Sequence, residues 1–363
     1  MKRLIFFGYT LQMGGAEKVL VDFIKILKEK GYDIDLVLLQ KKGELLQDVS
    51  KDINIYEIRK NNFTYAFFRY IPFVRKKVIN KIVNQKNYDV AIGFIEGRSA
   101  TWIADIKKNI KKIAWIHTDV AKFDIGISEK EAKKSYKKIN KIVTVSNKAK
   151  EIFCNKYEID INKVEVLENI INEKDIIEKA KISDKQRNSK YTFINVGKMR
   201  PEKRQDRLIE IAKKLKEEGY NFKIQIIGDG PEEANIKNMI KEYKVEDKIE
   251  LLGIQINPYP YVNKADCFVL SSELEGFGIA VKEALLLKKI VISTTVTGIE
   301  EMLKNNKYGI LVDNSTNGLY QAMKEVLDNK IDIKKIKKNL ENFDCGNEKI
   351  IKKLVEIIEG WHN

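Results

Sequence analysis

Short apolar runs alternating with helical patterns recur along most of this chain, and that rhythm limits the fold more than any other feature. Residues Arg3–Gly8 are apolar, Gly14 and Gly15 break the run, and 16–29 carry apolar side chains at helical spacing. Gly31 closes that helix, 34–39 form the next apolar run, and further runs follow at 90–94, 113–116 and 142–145. Strands that alternate with helices pair in parallel, and a parallel sheet has to be covered on both faces. The chain therefore reads as α/β.

The rhythm lapses at 181–190, a polar and charged stretch, and restarts with 193–196, a helix over 206–218, and apolar runs at 223–227, 249–252, 267–270, 290–293 and 310–312. A chain of 363 residues is too long for one core and suits two domains. We expect an N-terminal Rossmann-like domain over 1–185, a C-terminal Rossmann-like domain over 186–345, and a helix in 346–363. The apolar stripe Ile350, Ile351, Leu354, Val355 and Ile358 of that helix must pack on something, and a return to the N-terminal domain is one option. Doubly wound sheets bind ligands beyond the carboxyl ends of their strands, so two Rossmann-like domains facing across a cleft would surround one ligand with loops from both.

There are 67 Lys and Arg against 52 Asp and Glu, a formal charge of +15. Such an excess attracts phosphates, anionic lipid or nucleic acid without choosing among them, and a lysine-rich genome would produce it equally. With 44% hydrophobic residues and 5 prolines, no long disordered arm is expected. Cys154, Cys267 and Cys345 are odd in number and far apart, which offers neither a disulfide framework nor a metal-ligand spacing and suits a reducing cytosol. The run 4–7 is too short for a signal peptide, and no uncharged stretch reaches the ~18 residues of a spanning helix. The expected location is cytoplasmic, with peripheral contact at the inner face of the plasma membrane as an extension. Neither a solenoid repeat nor a ribonucleoprotein pattern is present, and no nucleic-acid partner is expected.

Two segments carry most of the chemistry. Residues 271–285, SSELEGFGIAVKEAL, follow the run 267–270 as turn and then helix. Gly276 and Gly278 let the backbone approach a ligand, and the free N–H groups of the first helical turn, from Phe277 onward, attract negative charge. Glu275 precedes the helix and Glu283 lies about two turns inside it. In most proteins such a pair is two solvated charges; the flanking glycines and serines argue for a ligand. Residues 196–203, VGKMRPEK, also join strand to helix, and their Lys198, Arg200 and Lys203 suit either a surface loop or a bound anion.

In these segments the chain resembles the retaining, two-Rossmann-domain glycosyltransferases of family 4. These are of the GT-B type found in bacterial polysaccharide and lipid-linked glycan assembly, and their mark is two glutamates separated by seven residues. The resemblance implies that Glu275 contacts hydroxyls of the donor sugar and Glu283 the ribose hydroxyls of the nucleotide, with the backbone at Gly276, Phe277 and Gly278 near the sugar or diphosphate. It implies that Lys198 and Lys203, next to Gly197, bind the donor diphosphate; Lys198 stands where arginine is more usual and lacks the bidentate fork. The turn Met13-Gly-Gly-Ala-Glu17 resembles the family's double-glycine loop, which puts Gly14 and Gly15 at the donor phosphates. It is not the G-x-G-x-x-G dinucleotide fingerprint. Gly228, in Gly228-Asp-Gly-Pro231, is family-like and equally suits a plain turn. His117, in Trp115-Ile-His-Thr-Asp119, corresponds to a histidine that hydrogen-bonds the donor sugar, with Asp119 close by; His362 is the only other histidine. Ser146 in the 145–147 strand end and Asn169 are family-like as well.

The implied activity moves a sugar from a nucleotide diphosphate sugar, most commonly a UDP-sugar, to a saccharide or lipid-linked saccharide acceptor with retention of configuration. His117, Glu275 and Lys203 would carry catalysis, with no metal or other cofactor. Asp33-Ile-Asp35 has the D-x-D form of metal-dependent transferases, yet it opens a buried strand and reads as structural. The stretch 63–77, with Lys107, Lys108, Lys111 and Lys112, mixes aromatics and cations as a contact with an anionic membrane surface would; a helix packed inside its own domain has the same composition. Rival readings are a sugar-nucleotide epimerase or phosphorylase of the same architecture and a basic nucleic-acid-binding protein.

Overall fold

The computed structural model describes residues 2–59, 68, 71–181 and 190–360. The chain divides into two compact units, Met1–Ile170 with Gly346–Asn363, and Ile171–Cys345.

In the first unit the strands are β1 Arg3–Gly8, β2 Asp33–Leu38, β3 Ile55–Glu57, β4 Val90–Gly93, β5 Lys111–Ile116, β6 Lys141–Thr144 and β7 Val164–Val166. They lie in the order β3-β2-β1-β4-β5-β6-β7, every neighbouring pair parallel. A strand covered on both faces needs an unbroken apolar run, and Leu4, Ile5, Phe6 and Phe7 of β1 are all fully buried. The helix Gly15–Glu29 turns Val19, Leu20, Phe23, Ile24 and Leu27 inward at helical spacing. Each large apolar side chain so enclosed contributes about 1.5–3 kcal/mol relative to exposure.

The second unit holds β8 Tyr191–Val196, β9 Phe222–Ile227, β10 Ile249–Gly253, β11 Cys267–Leu270, β12 Ile290–Thr294 and β13 Ile310–Val312, ordered β10-β9-β8-β11-β12-β13 and again parallel throughout. In both sheets the chain first winds to one side and then returns to wind to the other. The strand order therefore reverses between β1 and β4 and between β8 and β11. Connections leaving such neighbours go to opposite faces, which opens a crevice at the carboxyl ends of the strands.

The division falls between Ile170 and Ile171, whereas the sequence reading put it after residue 185; residues 182–189 of the expected linker lie outside the described residues. Its cause is the helix Glu173–Lys181, which packs against the helix Tyr259–Lys264 of the second unit. Asn257 Nδ2 donates to Lys179 O at 3.0 Å and Asn263 Nδ2 to Ala180 O at 3.4 Å. The C-terminal helix Asn347–Glu359 belongs to the first unit. Carbonyls at a helix end lack intrahelical partners and attract cations. Here Lys2 Nζ donates to Ile358 O and Glu359 O, both at 3.1 Å, and Lys111 Nζ donates to Ile357 O.

Candidate active site

In the second unit two loops that bear charged residues meet at the β8/β11 reversal. After β8 the chain runs through Gly197 and Lys198 into the short helix Pro201–Lys203; after β11 it runs through Ser271 and Ser272 to Glu275. Lys203 Nζ donates to Glu275 Oε1 at 2.6 Å, and Ser272 Oγ donates to the same oxygen at 2.7 Å. Glu275 is 7% exposed. A carboxylate so enclosed requires such partners, and two donors on one oxygen fix the orientation of the other. Lys203 keeps a quarter of its side chain exposed, so an incoming anion can share it.

The two loops are tied along their length. Ser271 Oγ donates to Lys203 O at 2.9 Å, Glu273 N to Glu202 O at 2.8 Å, and Arg204 Nη1 to Glu273 Oε2 at 3.2 Å. Behind them Arg207, itself buried, donates to Ser271 O at 3.2 Å and to Asn314 Oδ1 at 2.7 Å, while Asn314 Nδ2 donates to Glu273 O at 3.0 Å. The 228–231 turn buttresses the β8 loop from the other side. A Cβ at Gly228, whose φ is +136°, would stand 2.0 Å from Gly197 O, so only glycine fits. Lys198 and Arg200 are exposed on this loop, and Lys198 O accepts from Gln205 Nε2 at 3.3 Å.

The helix carrying Glu283 is Ile279–Leu286, which begins two residues later than the sequence suggests because Gly278 adopts a left-handed conformation, φ +77°, as its N-cap. Phe277 turns its ring inward, at 4% exposure, leaving its backbone at the loop. Glu283, half-buried, accepts a hydrogen bond from Tyr259 OH at 2.9 Å. The structure thus brings Gly197, Lys203, Gly228, Glu275, Gly276, Phe277 and Gly278 together in one loop cluster. It ties Glu283 to the Tyr259–Lys264 helix.

Gly14, Gly15 and His117 lie in the first unit. Gly14 has an extended φ of −168° and precedes the helix Gly15–Glu29, with the flexible Glu17 carboxylate beside it. His117 follows β5 and is 6% exposed, stacked on Trp115 with centroids 6.0 Å apart and against Phe94 at 4.7 Å. Burial depresses its imidazole to about 4, an effect that the Phe94 backbone and the Asn169 side chain only partly offset. Neither ring nitrogen has a hydrogen bond of full geometry among the described residues. Its backbone N–H donates to Glu96 Oε2 at 2.9 Å, and Thr118 Oγ1 donates to Glu96 Oε1 at 3.0 Å. Glu96 is buried, and burial pushes its carboxyl up, countered in part by those two donors.

Other residues singled out from the sequence have local partners. Asp119 Oδ1 accepts from Ala121 N at 3.0 Å inside its own turn, and Ser146 Oγ caps the helix Asn147–Tyr157 by accepting from Ala149 N at 3.1 Å. Asp33 pairs with Arg3, and buried Asp35 takes Lys86 Nζ at 2.7 Å and Asn54 Nδ2 at 2.9 Å. Burial works against the charge of Asp35, yet its hydrogen bonds from Lys86, Tyr88 and Asn54 hold the carboxyl below its ordinary value. Of the aromatic and cationic surface proposed from sequence, residues 63–67, 69 and 70 lie outside the described residues. Lys111 is a correction: it is buried on Ile357 O and is no surface cation. Lys112 is likewise spent on Ile106 O at 2.7 Å. Ile71, Phe73, Lys76, Lys77 and Lys107 are exposed. Glu96 and Tyr259 escaped the sequence reading because each acts on a partner more than 20 residues away, Glu96 on His117 and Tyr259 on Glu283, and no local spacing records that.

Two parallel, doubly wound units are the architecture of GT-B glycosyltransferases. The Anabaena protein Alr3699/HepE in complex with UDP shares the fold with a TM-score of 0.78 at 16% identity, over 99% of this chain and 100% of that one. Its complex with UDP-glucose aligns with a TM-score of 0.76 at 15% identity, over 99% and 100%. Residues 13–175 match the family described as Glycosyltransferase Family 4, and residues 176–343 match Glycosyl transferases group 1. The chain carries both of these domains and is a transferase enzyme. It is also similar to the N-acetylgalactosamine-N,N'-diacetylbacillosaminyl-diphospho-undecaprenol 4-alpha-N-acetylgalactosaminyltransferase of Campylobacter jejuni, at 26% identity over 90% of this chain and 91% of that protein. No helix among the described residues is long and apolar enough to cross a membrane.

Proposed function

We propose that the enzyme transfers a sugar from a UDP-sugar to a saccharide or lipid-linked saccharide acceptor, with retention of configuration and without a metal, in assembly of a bacterial surface glycan. One observation carries this reading: Lys203 and Ser272 converge on a single oxygen of the buried Glu275 at the β8/β11 reversal. That arrangement leaves a directed carboxylate oxygen for a sugar hydroxyl and a shared ammonium for a diphosphate. The UDP and UDP-glucose held by the Anabaena protein support the donor, and the diphospho-undecaprenol in the name of the Campylobacter jejuni relative supports a lipid-linked acceptor.

In this account the bond between the anomeric carbon and the diphosphate oxygen breaks, and the departing diphosphate gains negative charge. Lys203, with Lys198 and the N–H groups at the start of the helix Ile279–Leu286, neutralises that charge in place of a metal ion. The acceptor hydroxyl bonds to the anomeric carbon from the same face and gives its proton to the leaving phosphate. Glu275 orients the sugar, and Glu283 holds the ribose. The exposed Ile71 and Phe73 beside Lys76, Lys77 and Lys107 form the remaining surface through which the enzyme meets an anionic membrane.

A panel of nucleotide sugars assayed for nucleoside diphosphate release in the presence of saccharide and undecaprenol-linked acceptors tests the proposal. UDP release that depends on acceptor supports it. A sugar nucleotide converted to its epimer without release would establish the epimerase reading instead.

A further inference from the structure

We infer that Tyr259 is a positioning residue for recognition of the nucleoside ribose, acting through Glu283. This rests on the reading of Glu283 as the ribose contact. The loop after β10 ends in Asn257-Pro258, and proline fixes the backbone at the start of the helix Tyr259–Lys264. Asn257 Oδ1 accepts the Tyr259 N–H at 3.3 Å while Asn257 Nδ2 is anchored on Lys179 O at 3.0 Å, so the turn is held from both ends. Tyr259 is 5% exposed and its hydroxyl emerges from that packing to donate to Glu283 Oε1 at 2.9 Å. A buried ring pins the hydroxyl more firmly than a flexible side chain would. The bond links two elements, the Tyr259–Lys264 helix that precedes β11 and the Ile279–Leu286 helix that follows it.

Glu283 sits on a helix facing a loop cluster, and a glutamate there has three rotatable side-chain bonds. Each hydrogen bond that holds the Glu283 carboxylate before a ligand arrives reduces the rotamer entropy lost when it captures a pair of hydroxyls, and Tyr259 supplies one such bond. Tyr259 therefore makes the site select nucleotides that carry ribose hydroxyls without itself touching them.

Isothermal titration of the full chain with UDP and with 2′,3′-dideoxy-UDP separates this role from general packing. Hydrogen bonds to a charged group set a preference for UDP of about 10-fold or more in the unsubstituted enzyme. In Tyr259→Phe, which keeps the ring, that preference falls to about threefold while dideoxy-UDP binds as before, because only the orientation of the carboxylate is lost. Glu283→Ala, which removes every acceptor, serves as the reference, with the preference abolished. If Glu283→Ala abolishes the preference and Tyr259→Phe retains it in full, the inference about Tyr259 is wrong. Equal weakening of both ligands in Tyr259→Phe also contradicts it, since that is the signature of disturbed packing. If Glu283→Ala leaves the preference intact, or the unsubstituted enzyme does not bind UDP, the ribose reading itself fails and takes the role of Tyr259 with it.

Discussion

The two sheets share one topology, and their reversal points do opposite things. At β1/β4 the polar groups are sealed: Glu96 is buried on the backbone of residue 117, His117 is enclosed by Phe94 and Trp115, and Tyr9 OH donates to Glu96 O at 2.9 Å. At β8/β11 a cation and a carboxylate meet, and the cation keeps contact with solvent. The first arrangement encloses its groups among rings and backbone donors; the second leaves its cation open to solvent, where the proposed reading puts the donor diphosphate. The same winding thus encloses the polar groups at one reversal point and keeps a cation accessible at the other.

The largest effect that would break this contrast is catalytic. Glu275→Ala or Lys203→Ala is expected to lower transfer by at least about 10²-fold with the fold retained, as loss of a charge-stabilising group at a reacting centre does. Nucleoside diphosphate release together with a circular dichroism spectrum checks this, and turnover close to that of the unsubstituted enzyme in either variant removes the second reversal point from the chemistry.

Next comes an acid dependence set by His117 of the first unit. His117 holds its folded value near 4 against about 6.5 when unfolded, so the unfolded chain binds the proton first. The contribution is complete above pH 6.5 and is lost as the pH falls towards 4, by about 3 kcal/mol in all. Glu96, its carboxyl raised by burial, works with the opposite sign in the same structure. Urea unfolding of the unsubstituted enzyme and of His117→Phe at pH 7 and pH 4 isolates the histidine. The difference between the two proteins should shrink or reverse at pH 4, and a pH-independent difference would show that His117 is not held neutral.

Glycines sharpen the comparison further. Gly228→Ala forces a Cβ against the Gly197 carbonyl at a φ of +136°, and should destabilise by about 2–4 kcal/mol. Gly14→Ala, at an extended φ, meets only the movable end of Glu17 and should cost less than about 1 kcal/mol. Denaturant midpoints measure both, and equal losses would mean that the two glycine turns are equally constrained. The smallest expected effect is on membrane contact. Phe73→Ala with Lys76→Ala and Lys77→Ala should weaken flotation with anionic vesicles, each lysine accounting for about 1 kcal/mol. Flotation equal in the variant and the unsubstituted protein would take this surface out of the account.

The same contrast decides how much of the molecule is legible in its sequence. The β8 and β11 loops could be read because their residues sit within a few positions of glycines and strand ends, and 271–285 announces its turn and helix locally. The strands were legible because burial on both faces forces continuous apolar runs; β3, Ile-Tyr-Glu, and β7, Val-Glu-Val, each contain a glutamate and leave no such run, whereas the equally short β13, Ile-Leu-Val, does. Glu96, Tyr259 and the Arg207–Asn314 clamp left no trace, since their partners are set by the order of strands in the sheet. Lys111 looked like a surface cation from composition and proved to cap a helix 246 residues away.

The central claim is that Lys203 and Glu275 act as one unit, and a double-substitution cycle on sugar transfer tests it most directly. Transfer rates of Lys203→Ala, Glu275→Ala and the double variant, measured with one donor and one acceptor, should show coupling, the double variant losing less than the product of the two single losses, because each single change already removes the contact between the pair. Losses that multiply in the double variant would contradict the account, for they would mean that the two side chains contribute separately.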